Sequence, residues 1–122
     1  MSQAATLPLT LLVIARDEAR IIGRCLDSVP FASEKLVVDS GSTDGTQDAA
    51  RAHGARVVHQ DWLGFGAQRN FATTQAGHEW ILVLDADEAL SPALAQELQA
   101  RLPDLMQSDA AGAILRRQTI HV

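Results

Sequence analysis

The residues best equipped for chemistry are carboxylates that follow uninterrupted apolar runs. Asp85-Ala86-Asp87 comes directly after Trp80 to Leu84, a run with no charged residue. Side chains two apart on an extended segment point the same way, so the two carboxylates would sit together. Such a pair repels unless a cation lies nearby. A hard divalent ion such as Mg²⁺ or Mn²⁺ suits carboxylate oxygens and can bridge to a diphosphate. It would also stabilise a leaving nucleoside diphosphate as a Lewis acid. A solvated loop with acids capping the next helix accounts for the same residues equally well.

Two further clusters carry polar groups. Asp39-Ser40-Gly41-Ser42-Thr43-Asp44-Gly45-Thr46 follows Lys35 to Val38. Asp39 at a strand end could accept hydrogen bonds from a ribose or a base edge, and Gly41 and Gly45 permit a tight turn. A well-made turn and helix cap explain Ser42 to Gln47 without any ligand. Gln68-Arg69-Asn70 precedes the acidic strand. Arg69 could reach a phosphate or a base carbonyl, or simply face solvent.

These clusters need elements to hold them. Leu9 to Ala15 reads as a strand buried on both faces. Asp17 or a neighbour can cap a helix whose apolar face is Ile21, Ile22, Cys25, Leu26 and Val29, ended by Pro30. Lys35 to Asp39 is a second strand. Asp44 with Gln47 resembles a capping box for a helix to His53, with Gly54 after its end. Arg56 to Gln60 is a third strand. Gly64 and Gly66 open a helix to about Ala76. Trp80 to Leu84 is a fourth strand, and Ser91-Pro92 starts a helix striped by Leu94, Leu98, Leu102 and Leu105. Ala113 to Arg117 reads as a fifth strand. Strands alternating with helices imply an α/β fold, a mostly parallel sheet with helices on both faces. In such sheets ligands bind beyond the carboxyl ends of the strands, where Arg16-Asp17-Glu18, Asp39-Ser40-Gly41 and Asp85-Ala86-Asp87 all fall.

Bulk properties narrow the function classes. A chain of 122 residues is one domain by size. Lys plus Arg total 10 and Asp plus Glu total 15, a formal charge of −5. That sign argues against nucleic acid as partner. The single cysteine, Cys25, excludes an internal disulfide or a cysteine-based zinc site and reads as core. A cytoplasmic setting is expected. The longest apolar stretch, near Leu7 to Ala15, is too short for a transmembrane segment. Trp62 and Trp80 read first as packing anchors, with Trp62 a lesser candidate for substrate contact. Nothing in the sequence defines an oligomeric state.

Taken together, four segments resemble the inverting glycosyltransferases of family 2, which have the GT-A (Rossmann-like) fold. They are Val13 to Glu18, Val37 to Thr46, Gln68 to Asn70 and Trp80 to Glu88. The resemblance runs from about Leu9 to Arg117. It is nearest to the lipopolysaccharide core-biosynthesis glucosyltransferases, through Asp39 to Thr46, Trp62-Leu63-Gly64-Phe65-Gly66 and Asp85 to Glu88.

The resemblance implies a nucleotide-sugar donor, UDP-hexose foremost, and a saccharide or lipid-linked acceptor at the inner face of the cytoplasmic membrane. It implies that Ala15, Arg16 and Glu18 line the nucleotide pocket. Asp39 and Ser40 would hold base or ribose, and Arg69 would approach base or phosphates. Asp85 and Ala86 would lie along ribose or sugar, and Asp87 would bind the divalent cation, Mg²⁺ or Mn²⁺. Many family members carry a second Asp where this chain has Ser40. Inverting transfer also needs a general base, which the family places in its acceptor half. No carboxylate follows Asp109, so that base is expected beyond Val122. The 122 residues then read as the nucleotide-sugar-binding part of a truncated GT-A domain. Two rivals stand beside this reading. One is a nucleotide-binding module without turnover. The other is a phosphatase of the haloacid dehalogenase type, which also places Asp-x-Asp after an apolar strand.

Overall fold

The structure, a computed structural model, describes residues 6–110 and 118–120. Nine elements follow in order: β1 (Leu7–Ala15), α1 (Ile22–Asp27), β2 (Ala32–Asp39), α2 (Thr46–Ala52), β3 (Arg56–His59), α3 (Phe65–Gln75), β4 (Trp80–Asp85), α4 (Pro92–Ala110) and β5 (Gln118–Ile120). The strands form one sheet in the order β3-β2-β1-β4-β5, and every pairing is parallel. The fifth strand expected at 113–117 lies outside the described residues, while β5 extends the same sheet beside β4.

Alternation along the strands splits the core in two. Leu9, Leu11 and Val13 of β1, Val37 of β2 and Leu82 and Leu84 of β4 pack with Ile22, Cys25 and Leu26 of α1, Ala50 of α2 and Leu102 and Met106 of α4. Leu12 of β1, Leu36 and Val38 of β2 and Ile81 and Val83 of β4 pack instead with Ala72 of α3. The β-branched and leucine-rich runs are therefore buried on both faces, as a covered parallel sheet requires. Three helices lie on one face and α3 alone on the other.

Several local expectations shift. α1 spans six residues and has no side-chain cap, because Asp17 is engaged elsewhere. The capping box at Asp44 and Gln47 does not form. Gly45 is the N-cap residue of α2, at φ 94°, a backbone conformation that favours glycine, and the Gln47 side chain turns back to Asp39. On α4 the Ser91 hydroxyl accepts the Leu94 N–H at 3.1 Å, as a serine N-cap should. Leu94, Leu98 and Leu102 face the core, but the stripe continues through Met106, leaving Leu105 exposed. Steps of four residues hold one helix face.

Candidate functional site

All strands end at the same side of the sheet, and a cavity of about 350 Å³ opens there. Its lining is Ile14, Ala15, Arg16, Glu18, Ser40, Trp62, Phe65, Arg69 and Asp85. Of the residues singled out in the sequence, Ala15, Arg16, Glu18, Ser40, Arg69 and Asp85 thus come together. Asp39, Ala86 and Asp87 are outside that lining.

Strand parity separates the two acidic clusters. Asp85 pairs in register with Ile14 and follows Ile81 and Val83 on the α3 face. That is the side from which Arg69 of α3 approaches. Asp39 pairs with Ala15 and shares the face of Val37, toward α2.

Asp39 is fully buried. Its Oδ2 accepts the N–H groups of Gly41 and Ser42, both at 2.9 Å, and the Gln47 side-chain amide at 2.8 Å. The Ser42 hydroxyl donates to Oδ1. Burial alone would raise this carboxyl, but those donors outweigh it and hold it below the ordinary carboxylate value. The group is an anchor whose acceptor capacity is largely used.

The anchor leads to a latch. Ser42, held by Asp39, accepts the Asp17 N–H on its Oγ at 2.7 Å. Buried Thr46 donates its hydroxyl to Asp44 and accepts the Glu18 N–H at 2.8 Å. Asp44 Oδ2 accepts the Ala19 N–H at 3.1 Å. In return Asp17 Oδ1 accepts the Thr43 N–H at 2.9 Å, which secures Asp17 at φ 55°, an uncommon conformation for a residue with a side chain. These bonds tie the loop after β1, which carries Arg16 and Glu18, to the turn after β2. Ser42, Asp44, Thr46 and Asp17 are the residues that sequence reasoning did not assign to the site. Their signal was the density of hydroxyls and carboxylates in a turn needing only one cap.

At the end of β4, Asp85, Asp87 and Glu88 are exposed. Glu88 accepts the Asp85 N–H at 2.8 Å, and its own N–H donates to the Asp85 carbonyl at 2.8 Å. This reciprocal pair closes a tight turn with buried Ala86 inside it. Behind the turn lies Cys25, whose Sγ is 3.5 Å from the Asp85 carbonyl. Burial, with added repulsion from Glu88, Asp85 and Asp87, pushes its thiol up to about 12, so Cys25 is no nucleophile at neutral pH.

Among the described residues no three metal-ligating side chains cluster. The donor set still fits a cation that arrives with a diphosphate. Mg²⁺ typically keeps several waters and takes one or two carboxylates plus phosphate oxygens, and Asp85 and Asp87 are free of ion pairs to any lysine or arginine among those identified.

A family model described as glycosyl transferase family 2 matches residues 10–120, and the chain belongs to that family. The GT-A fold is its architecture. The chain is 43% identical over 100 residues to an uncharacterised glycosyltransferase of Rickettsia bellii, covering 81% of this chain and 34% of that protein. It is 36% identical over 105 residues to the lipopolysaccharide core biosynthesis glycosyltransferase LpsC of Rhizobium meliloti, covering 82% and 37%. The chain therefore spans about a third of the length of these relatives. Among solved structures it resembles glucosyl-3-phosphoglycerate synthase of Mycobacterium tuberculosis, crystallised with Mn²⁺, UDP and glucosyl-3-phosphoglycerate. There the TM-score is 0.58 at 25% identity, covering 66% of this chain and 35% of that one. Among the described residues no helix is long and apolar enough to cross a membrane.

Proposed function

We propose that this chain is the nucleotide-sugar-binding part of a glycosyltransferase. The protein would transfer a hexose from UDP, with inversion, to a saccharide or lipid-linked acceptor in lipopolysaccharide or other envelope glycan synthesis. The observation that carries the reading is the cavity where Ala15, Arg16, Glu18, Ser40, Arg69 and Asp85 meet at the carboxyl ends of parallel strands. The synthase crystallised with Mn²⁺ and UDP supports the choice of donor and cation, and the family match leaves the phosphatase reading without support.

In this reading Asp87 holds a divalent cation against the donor diphosphate, with Asp85 beside ribose or sugar and Ala86 leaving room for close approach. The bound cation would supply Lewis-acid stabilisation of the leaving diphosphate. Arg16 and Arg69 offset phosphate charge. The Ser40 hydroxyl takes the polar contact to base or ribose, while Asp39 holds the turn that carries it. Glu18 and Arg16 stay in place because the latch fixes their backbone, which lowers the ordering cost of binding. Calorimetry of UDP with and without Mn²⁺ tests the assignment. Saturable binding that requires the metal is expected, and absence of affinity with Mn²⁺ present would overturn it. Transfer to a lipopolysaccharide-core acceptor, assayed on the same chain, separates an enzyme from a binding part without turnover, and the anomeric configuration of the product reports inversion.

A further inference from the structure

One wall of the cavity is unlike the rest. Trp62 and Phe65 line it, yet they are 46% and 85% exposed, with Leu63 between them at 50%. Water-exposed aromatic surface of this kind, gathered at a cavity mouth, marks a site of contact. The rings stand edge to face, with centroids 4.9 Å apart and planes at 88°, so the pair leaves ring face uncovered. The wall is also held in place. Fully buried Gln68 accepts the Leu63 N–H at 3.0 Å and donates to the Gln60 carbonyl at 2.9 Å, which pins the loop carrying Trp62 onto α3. Gly64, at φ 96° before the helix, lets the loop turn sharply into it. Arg69 lies one helical turn after Phe65 on the same face of α3.

The position of this wall fits one end of a nucleoside diphosphate. The wall belongs to the connection that leaves β3 and enters α3, while Asp85 ends β4, and both line the same cavity. The cavity thus joins an exposed carboxylate, Asp85, to an aromatic wall, with Arg69 one helical turn beyond Phe65. Ser40 lines it too. A nucleoside diphosphate, with a planar base and a metal-bound diphosphate, calls for that combination of chemistries.

We propose that Trp62 and Phe65 are the nucleobase-stacking wall of this cavity and that they set its preference for nucleotide over free phosphate ligands. The inference rests on the donor-site reading. Base stacking on aromatic side chains contributes enough for about a tenfold change in affinity when one ring is removed. Calorimetric titration of the full chain with UDP, uridine and inorganic pyrophosphate, each with Mn²⁺, tests it. Trp62→Ala and Phe65→Ala should each weaken UDP and uridine about tenfold and leave pyrophosphate unchanged, and Trp62→Phe should restore most of the loss. The exposure of both rings makes the variants foldable, which a thermal melt confirms. Unchanged UDP and uridine affinity in both alanine variants would overturn the stacking wall while leaving the donor site standing. An unsubstituted chain that binds no UDP would overturn the donor site and the wall with it.

Discussion

Two strand ends carry an aspartate after an apolar run, and the structure uses them in opposite ways. At the end of β2, Asp39 is fully buried and accepts four hydrogen bonds from Gly41, Ser42 and Gln47. At the end of β4, Asp85 and Asp87 are exposed, and the bonds made to Asp85 by Glu88 and the Cys25 thiol go to its backbone. A buried, saturated carboxylate organises its surroundings. An exposed pair keeps lone pairs for something that arrives from solution. The contrast shows that a carboxylate at the carboxyl end of a parallel strand is not by position a ligand-binding group. Strand parity and the count of nearby donors decide.

The contrast can be broken most sharply at Asp87. In the proposed site, Asp87→Ala should cost roughly a hundredfold in Mn²⁺-dependent UDP affinity. Thermal stability should stay within about 0.5 kcal/mol, because the residue is exposed. Asp39→Ala should do the reverse. It leaves the N–H groups of Gly41 and Ser42 in a half-buried turn without their charged acceptor, at a cost of about 2 kcal/mol, read as a lower midpoint in denaturant. The metal requirement of whatever binding remains should persist.

Acid sharpens the same comparison. The Asp39 carboxyl is held below its ordinary value of 3.8. Its stabilising contribution is therefore fully present above that pH and is lost as pH falls through the lower folded value. Glu34 adds to this limb. Burial opposes its ionisation, but Thr10, the Gly77 N–H and Arg56 hold its carboxyl below the usual range. Asp39→Asn should flatten the acid side of a stability-against-pH curve measured by denaturant melts from pH 6 to 3. A curve of unchanged slope would remove the anchor role. The smallest effect belongs to the latch. Thr46→Val deletes the acceptor for the Glu18 N–H and the donor to Asp44, and should cost about 1 kcal/mol with a few-fold loss of UDP affinity.

Much of this was legible in the residues. The apolar runs ending in Ala15, Asp39 and Asp85 fall within strands that do end together, and Gly54 follows helix α2 as expected. Residues gathered at the cavity end or follow strand one, follow strands two and three, sit on the helix between strands three and four, or end strand four. What could not be read was how side chains divide between the faces of the turns. Asp39 and Asp85 look alike until the register sets them beside Ala15 and Ile14 respectively. Asp17 looked like a helix cap, but its bond to Thr43 is made across 26 residues of chain, and no local pattern encodes such a partner. Trp62 read first as a packing residue because aromatic burial is the usual outcome. In the structure its ring is 46% exposed, on a loop whose backbone is bonded to buried Gln68 on either side of it.

The most direct test of the central claim counts Mn²⁺ bound to the chain by electron paramagnetic resonance in the presence of UDP. One Mn²⁺ per chain is predicted for the unsubstituted protein and for Asp39→Asn, and none for Asp87→Ala. Retention of the ion by Asp87→Ala, together with its loss from a folded Asp39→Asn, would reverse the roles of the two strand ends and contradict the account.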